Sequence, residues 1–385
     1  MMKEKYVCPV CGNEDSRYIG YSNGSPYCRL CLPFSGKKAD RDFKVKENIK
    51  LELSYPLSEK QEIVAKKVKE LLINKRNVLI HAVTGAGKTE LVYYSMAYYI
   101  KTGLHVGFAT PRRDVVVDLQ PRIKEAFPSA RVISVYGSHS TVIEGDIIVL
   151  TTHQLYRYPS YFDLLILDEI DAFPYKDNFL LKSFFRRSVK GNYVLLSATP
   201  SRKDIEEVKA DSGEVVTLFE RYHKAKLPVP QFVKTGPYSI YVRTLRYLKR
   251  YEEESKPVFV FTPTISEGKR LFGFLSFFFH NGSFVSSKEE ERKIDIQKFK
   301  NHQFSFLVTT SILERGVTVR DLQVIVFNAD HALYTQAALV QIAGRVGRKI
   351  GATSGDVIFL AEEENDCQIG AIEEIEKYNQ SLEVL

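Results

Sequence analysis

The chain has no uninterrupted apolar run near the ~18–20 residues a helix needs to cross a bilayer, although 44% of its 385 residues are hydrophobic. Its opening stretch, MMKEKYVCPVCG, also lacks the apolar segment of a signal peptide. Both absences lead us to expect a protein made and kept in the cytoplasm. Cysteine is scarce: there are five, four of them within the first 31 residues and the fifth, Cys367, alone near the other end. An odd count in such a chain argues against a disulfide framework. Nor does one sign of charge dominate, since 54 Lys and Arg against 47 Asp and Glu give a net charge of +7 and a pI near 8.9. This balance favours a polyanionic partner such as nucleic acid, or an anionic membrane surface, but it is spread too thinly to decide anything alone. The length suffices for two to three units, each with its own core.

What is present centres on NVLIHAVTGAGKT, from Asn77 to Thr89, where an apolar run breaks into a glycine-rich turn ending in Lys-Thr. The turn follows the phosphate-loop pattern G-x-x-x-x-G-K-[ST], except that Ala82 stands at its first position. Backbone N–H groups of Thr84, Gly85, Ala86 and Gly87, with the N-terminus of the following helix, would converge on an anion. Lys88 would then sit on the β- and γ-phosphates of ATP, and Thr89 on Mg²⁺. Upstream, PLSEKQ opens a helix with Ser58 as N-cap and Gln61 as its capping-box partner. The amide of Gln61 is equally suited to the edge of adenine, and the sequence leaves both readings open.

Apolar runs then alternate with helical stretches: VGFAT at 106–110, VISVYG at 132–137, IIVLTT at 147–152, LLILDE at 164–169 and YVLLSAT at 193–199. Such alternation predicts a parallel sheet with helices on both faces and ligands at the carboxyl ends of its strands. LLILDEID supplies an acidic pair at one such end: Asp168 to hold Mg²⁺ and Glu169 to polarise an attacking water. Two prolines in KLPVPQFVKTG (226–236) suggest a boundary, beyond which PVFVFT, SFVSS, FSFLVTT, VIVFNA and DVIFLA form a second series without a phosphate loop. This second lobe offers QIAGRVGRK (341–349), where Arg345 and Arg348 are spaced to project from one face of a short helix. Arginines of one lobe could stabilise charge on phosphate held by the other, with ATP drawing the lobes together. The Phe-rich stretch LFGFLSFFFH (271–280) is expected to pack into a core rather than to meet a membrane or stack on bases.

Cys8, Cys11, Cys28 and Cys31 spell C-x2-C-x16-C-x2-C. Two such knuckles suit a closed four-thiolate zinc site of structural type, with a pair of redox dithiols as the weaker alternative. The polar segment between the knuckles could not fold by burial alone and would depend on the metal. Residues 35–52 are charged and without periodicity, as in a linker or extended arm. The expected organisation is a zinc module over 1–40, a nucleotide-binding lobe over 41–225 and a second lobe over 226–385.

In order, the quoted motifs resemble those of the superfamily 2 helicases and translocases, from Pro56 to about Ile350. PLSEKQ is similar to the Q segment, AVTGAGKT to motif I, ATPRR (109–113) to motif Ia and TTHQL (151–155) to motif Ic. LDEID, SAT (197–199), TTSILERGVT (309–318) and QIAGRVGRK are similar to motifs II, III, V and VI. The resemblance implies two RecA-like α/β lobes, with Gln61 reading adenine, Gly316 joining the nucleotide site, and Lys88, Asp168, Glu169, Arg345 and Arg348 driving hydrolysis. It implies that Ser197 and Thr199 couple that site to the strand. It places Arg112, Arg113, Thr152, Thr262, Thr309 and Thr310 on nucleic acid, helix capping by the threonines being the other reading. With its zinc module, DEID-AFPY and YHKAKLPVP, the chain further resembles the late competence ATPases of Gram-positive bacteria. That branch implies single-stranded DNA translocation for the import of transforming DNA, at the inner face of the cell membrane. The partners it implies are the membrane DNA channel protein and a ComFC-like, phosphoribosyltransferase-like protein, and it allows a homo-oligomer. A replication-restart or repair helicase and an ATP-switched DNA-binding adaptor are the competing functions, and Cys367 has no assigned role.

Overall fold

The computed structural model describes residues 6–137, 140–286, 292–310, 319–349 and 351–381. The chain divides into two compact units, Met1–Ala82 with Gly87–Leu218, and Val83–Ala86 with Phe219–Leu385.

The first unit opens on an antiparallel hairpin of β1 (Ile19–Ser22) and β2 (Ser25–Cys28). Asn23 and Gly24 turn it with φ of 47° and 77°, the left-handed pair that favours Asn-Gly in two-residue hairpin loops. An irregular arm then runs along the unit. Its path is fixed by Ile49, fully buried, by a bond from Glu52 N to Ala126 O and by one from Lys46 N to the Asp146 carboxylate. Helix α1 (Glu59–Ile73) starts at Ser58 with both bonds of a capping box present.

Seven parallel strands form the sheet of this unit: β3 (Val78–Ala82), β4 (Val106–Thr110), β5 (Val132–Val135), β6 (Ile147–Thr151), β7 (Phe162–Asp168), β8 (Val189–Ser197) and β9 (Glu214–Leu218). Their spatial order is β5-β6-β4-β7-β8-β3-β9. Every residue of β4 and β6 is buried, as expected for strands covered on both faces, whose sequences read as continuous apolar runs rather than alternations. Helices α2 (Tyr93–Lys101), α3 (Arg113–Ala126), α4 (Phe179–Ser188) and α5 (Arg202–Ala210) complete the unit. The four-cysteine module does not stand apart from it. Cys8, Cys11 and Cys28 share a buried cluster with Tyr158, Leu165, Phe184 and Phe185, and the Phe34 ring meets Phe184 edge-on at 5.0 Å.

The second unit holds a parallel sheet of β10 (Gln231–Lys234), β11 (Val258–Phe261), β12 (Gly282–Val285), β13 (Phe306–Thr309), β14 (Gln323–Phe327) and β15 (Val357–Ala361), ordered β10-β15-β14-β11-β13-β12. Its helices are α6 (Ser239–Glu253), α7 (Ile265–Leu275), α8 (Arg292–Lys300), α9 (Gln336–Ala343) and α10 (Asp366–Gln380). The Phe-rich stretch is split in its behaviour. Leu271, Leu275 and Phe279 are buried as expected, whereas Phe277 and Phe278 are 83% and 50% exposed, because they follow the last turn of α7 instead of continuing its buried stripe.

Asp146 links the arm to the sheet, accepting Lys46 N at 2.8 Å and Arg131 N at 2.7 Å while itself only 4% exposed. Asp146→Ala leaves those two donors without their acceptor, at a cost of about 1–3 kcal/mol. We therefore expect a lower thermal midpoint together with faster proteolytic cleavage within residues 35–57; unchanged cleavage would mean that the arm is held without Asp146.

Candidate nucleotide and metal sites

The candidate nucleotide site is built on the carboxyl end of β3, where the loop leaves the first unit at Ala82 and rejoins it at Gly87. Gly85 and Gly87 adopt φ of 88° and 75°, which a glycine accepts without steric cost. Any side chain at Gly87 would strike the Gln61 amide, since a Cβ there would lie 2.5 Å from Nε2. Lys88 Nζ donates to Ala82 O at 2.9 Å, and Thr89 is buried behind it. The chain leaves the loop through a short 3-10 turn (Glu90–Val92) before α2 begins at Tyr93. Glu90 anchors this turn: Arg122 of α3 donates to its carboxylate at 2.6 Å. Burial pulls the Arg122 pKa down, and the Glu90 charge more than reverses this, so the net shift is upward.

Gln61 resolves towards capping on its oxygen side, because its Oε1 accepts from Ser58 N at 2.8 Å. Its Nε2 faces the phosphate loop at Gly87. The amide thus spans the helix start and the loop.

Asp168 ends β7, and Glu169 follows with φ 58°, its N–H donating to the Asp168 carboxylate at 2.8 Å. A left-handed glutamate costs conformational energy and persists only where surrounding structure imposes it. Ser197 and Thr199 both donate to the carboxylate of Asp171, at 3.0 and 2.9 Å. Asp171 is thus the residue that ties SAT to DEID, and the sequence reading passed over it. Its position three residues after Asp168 was the available signal.

The residues expected on nucleic acid fall into two groups. Arg112 is the N-cap of α3, and Arg113 is exposed, its guanidinium 4.9 Å over the Tyr136 ring. Thr152, Thr262 and Thr309 are fully buried. The Thr262 hydroxyl donates to Thr309 O and the Thr309 hydroxyl to Val285 O, at 3.1 and 3.0 Å, so both are occupied in joining strand ends. The hydroxyl of Thr152 has no partner among the described residues, and Thr310 is half-buried.

In the second unit the arginine pair departs from the expected geometry. Helix α9 ends at Ala343 with Gly344 as its C-cap, so Arg345 and Arg348 lie in the turn beyond it rather than on a helix face. The cause is glycine: Gly347 takes φ 69°, and a Cβ there would be 2.3 Å from Thr353 O. Arg345 is 3% exposed, and Arg348 Nε donates to Gly344 O at 3.0 Å. Gly316 and most of the TTSILERGVT stretch lie outside the described residues.

The four N-terminal thiols converge, all sulfurs lying within 4.8 Å of one another. Cys8 Sγ is 3.7 Å from Cys31 Sγ, and Cys11 Sγ is 3.8 Å from Cys28 Sγ. A tetrahedron with metal–sulfur bonds of ~2.3 Å has edges of about 3.8 Å, so this donor set fits a tetrahedral metal. Burial pushes the Cys11 thiol up to about 11 and raises Cys31 further. In Cys8 burial acts the same way but is outweighed by main-chain N–H donors from Cys11 and Val10, for a net lowering. Cys367 lies in the first turn of α10, its N–H donating to the side chain of the N-cap Asn365.

Residues 61–208 match the DEAD/DEAH box helicase family and residues 241–350 the helicase conserved C-terminal domain. Among solved structures, Saccharomyces cerevisiae Dbp5 bound to RNA and ADP BeF3 superposes with a TM-score of 0.63 at 17% identity, covering 84% of this chain and 91% of that one. Fold and site define an ATPase of the superfamily 2 helicase type, two RecA-like lobes with the ATP and Mg²⁺ requirement that implies. Competence protein ComFA of Bacillus subtilis is 35% identical over 98% of this chain and 86% of its own length. Its counterpart in Streptococcus pneumoniae is 33% identical over 98% and 91%. The chain belongs to the ComFA family of competence proteins.

If the SAT segment is held through Asp171, Asp171→Ala should free it while leaving the phosphate loop intact. The expected result is unchanged nucleotide affinity with ATP turnover reduced about tenfold or more, read by equilibrium titration and steady-state hydrolysis. Equal loss of affinity and turnover would place Asp171 in nucleotide binding instead.

Proposed function

We propose that this chain is an ATP-driven motor on single-stranded DNA that draws transforming DNA into the cell during natural competence. The observation that carries the reading is the complete set of hydrolytic side chains at strand ends, Lys88, Asp168 and Glu169, linked through Asp171 to Ser197 and Thr199. A protein that only bound ATP without hydrolysing it would not need the full set.

In this reading the main-chain N–H groups of Thr84, Gly85, Ala86 and Gly87 hold the phosphates and Gln61 lies beside the adenine edge. Lys88 brings positive charge to the β- and γ-groups. Thr89 and Asp168 hold Mg²⁺, which when bound screens phosphate charge. Glu169 accepts the proton of the attacking water. Arg345 and Arg348 stabilise charge developing on the transferred group, a role typically worth about 10³–10⁵ in rate; Gly316 belongs to the same site. Arg112, Arg113 and Thr310 touch the DNA backbone, which allows binding without sequence preference, and Thr152, whose side chain is fully buried, acts there only through its main-chain position. Thr262 and Thr309 act there through main-chain position, since their hydroxyls are already committed.

The metal of the cysteine cluster is zinc in this reading, bound by Cys8, Cys11, Cys28 and Cys31 in a structural role. No helix among the described residues is long and apolar enough to cross a membrane, and the motor works from the inner face of the cell membrane as a peripheral protein. Its partners there are the competence DNA channel and a ComFC-like, phosphoribosyltransferase-like protein.

Hydrolysis measured without nucleic acid and with single-stranded DNA, duplex DNA or single-stranded RNA tests the motor. We expect strong stimulation by single-stranded DNA and no turnover in Glu169→Gln. Equal stimulation by RNA would indicate a general helicase, and none by any strand a nucleotide-gated adaptor. Elemental analysis should find one zinc per chain, lost in Cys8→Ser; full zinc content in that variant would refute the four-thiolate assignment.

A further inference from the structure

Arg221 follows β9 in a stretch whose prolines and charges mark only a change of rhythm. Its side chain is 1% exposed, the bulkiest of the fully buried ones. The guanidinium donates from Nη1 to Val346 O and Gly347 O, both at 2.9 Å, and from Nη2 to Gly344 O at 3.1 Å. Its Nε donates to Thr84 O at 3.2 Å, and the adjacent Tyr222 N to Gly85 O at 3.3 Å. All of these residues belong to the second unit, which takes in the phosphate-loop tip Val83–Ala86. Among the described residues no carboxylate pairs with Arg221. Burial, and then the nearby Arg348 cation, lower its pKa from the usual arginine value.

A buried cation needs a reason, and the end of α9 provides one. The last carbonyls of a helix have no partner within it and carry partial negative charge. Here Gly344, at the C-cap, and Val346 and Gly347, in the turn that follows, aim three carbonyls at one point. Only a planar fork of donors satisfies them together; a lysine ammonium is a point charge with the wrong shape. Gly347 leaves the turn little latitude, since a Cβ there would also come within 3.2 Å of Arg221 Nη1. The clamped carbonyls flank Arg345 and Arg348, so holding them fixes the directions in which those two side chains leave the backbone.

We infer that Arg221 is a positioning residue for ATP hydrolysis: it clamps the 344–347 turn that presents Arg345 and Arg348, and bonds the same turn to the Thr84 carbonyl of the phosphate loop. With donors on all three of its nitrogens already bound to carbonyls, it acts through those residues rather than on phosphate. The inference rests on the reading of Arg345 and Arg348 as the arginines that act on ATP.

The test compares Arg221→Lys, Arg221→Ala and Arg345→Ala in the full-length protein, with single-stranded DNA saturating. Steady-state hydrolysis and the thermal midpoint are read together. Arg221→Lys should lower kcat about ten- to hundredfold, as small misplacements of catalytic groups do, with KM for ATP and the midpoint nearly unchanged. Millimolar guanidinium, against an equal concentration of sodium chloride, should restore part of the kcat of Arg221→Ala and none of that of Arg221→Lys, whose side chain fills the space. A kcat that falls only as far as the midpoint falls, without rescue, would make Arg221 a residue of stability alone and overturn the inference. So would a raised KM at unchanged kcat. If Arg345→Ala abolishes turnover while Arg221→Lys keeps it, the inference fails by itself; if Arg345→Ala keeps full turnover, the finger assignment fails and takes the inference with it.

Discussion

A parallel strand buried on both faces can bear a polar side chain at little cost only where it leaves the sheet, and parallel strands all leave on the same side. In the first unit this constraint gathers Lys88 after β3, Thr152 after β6, Asp168 at the end of β7 and Ser197 at the end of β8 along one edge. No long-range design is needed to bring them together, because the sheet registers do so. What remains for individual residues is fine placement. Gly85 and Gly87 let the backbone bend towards an anion, Glu169 accepts a left-handed conformation, and Asp171 collects two hydroxyls from the next strand.

The same constraint explains what the sequence made visible. Covered strands read as unbroken apolar runs, so VGFAT, IIVLTT, LLILDE and their counterparts in the second unit correspond to β4, β6, β7, β11, β13, β14 and β15 within a residue or two at most ends. The edge strands β9 and β10 were not legible: each is covered less completely, β9 with an exposed position among its residues and β10 with no fully buried one, and β10 lies in the passage whose prolines suggest a break. The β1–β2 hairpin was hidden by polar composition, although Asn23-Gly24 carries a turn signal. Spacing also misplaced Arg345 and Arg348 onto a helix face, where the glycines at 344 and 347 end the helix first. Arg221 and Asp171 act through contacts distant in sequence, or through a partner strand, and a linear pattern holds no trace of such contacts. The threonine hydroxyls at 262 and 309 show that a polar residue at a strand end can also be engaged in holding strands together.

The N-terminal module shows how a weakly hydrophobic segment is kept in place. Its sulfur tetrahedron is sized for a metal, yet Cys8, Cys11 and Cys28 also belong to the core under α4, and the arm that follows is fastened at Ile49, Lys46 and Glu52. A metal held there would act together with burial, and its loss would be felt in the fold of the first unit and not in a detached appendage.

Translocation requires that hydrolysis be repeated as the protein advances, which distinguishes a motor from a switch that turns over once per binding event. The measurement that addresses this most directly is the ATP hydrolysis rate as a function of single-stranded DNA length at saturating DNA. A motor that runs to an end and falls off gives a rate rising with length to a plateau, with circular strands at the plateau value. A rate independent of length once the binding site is filled would contradict translocation and leave an ATPase that is only gated by DNA.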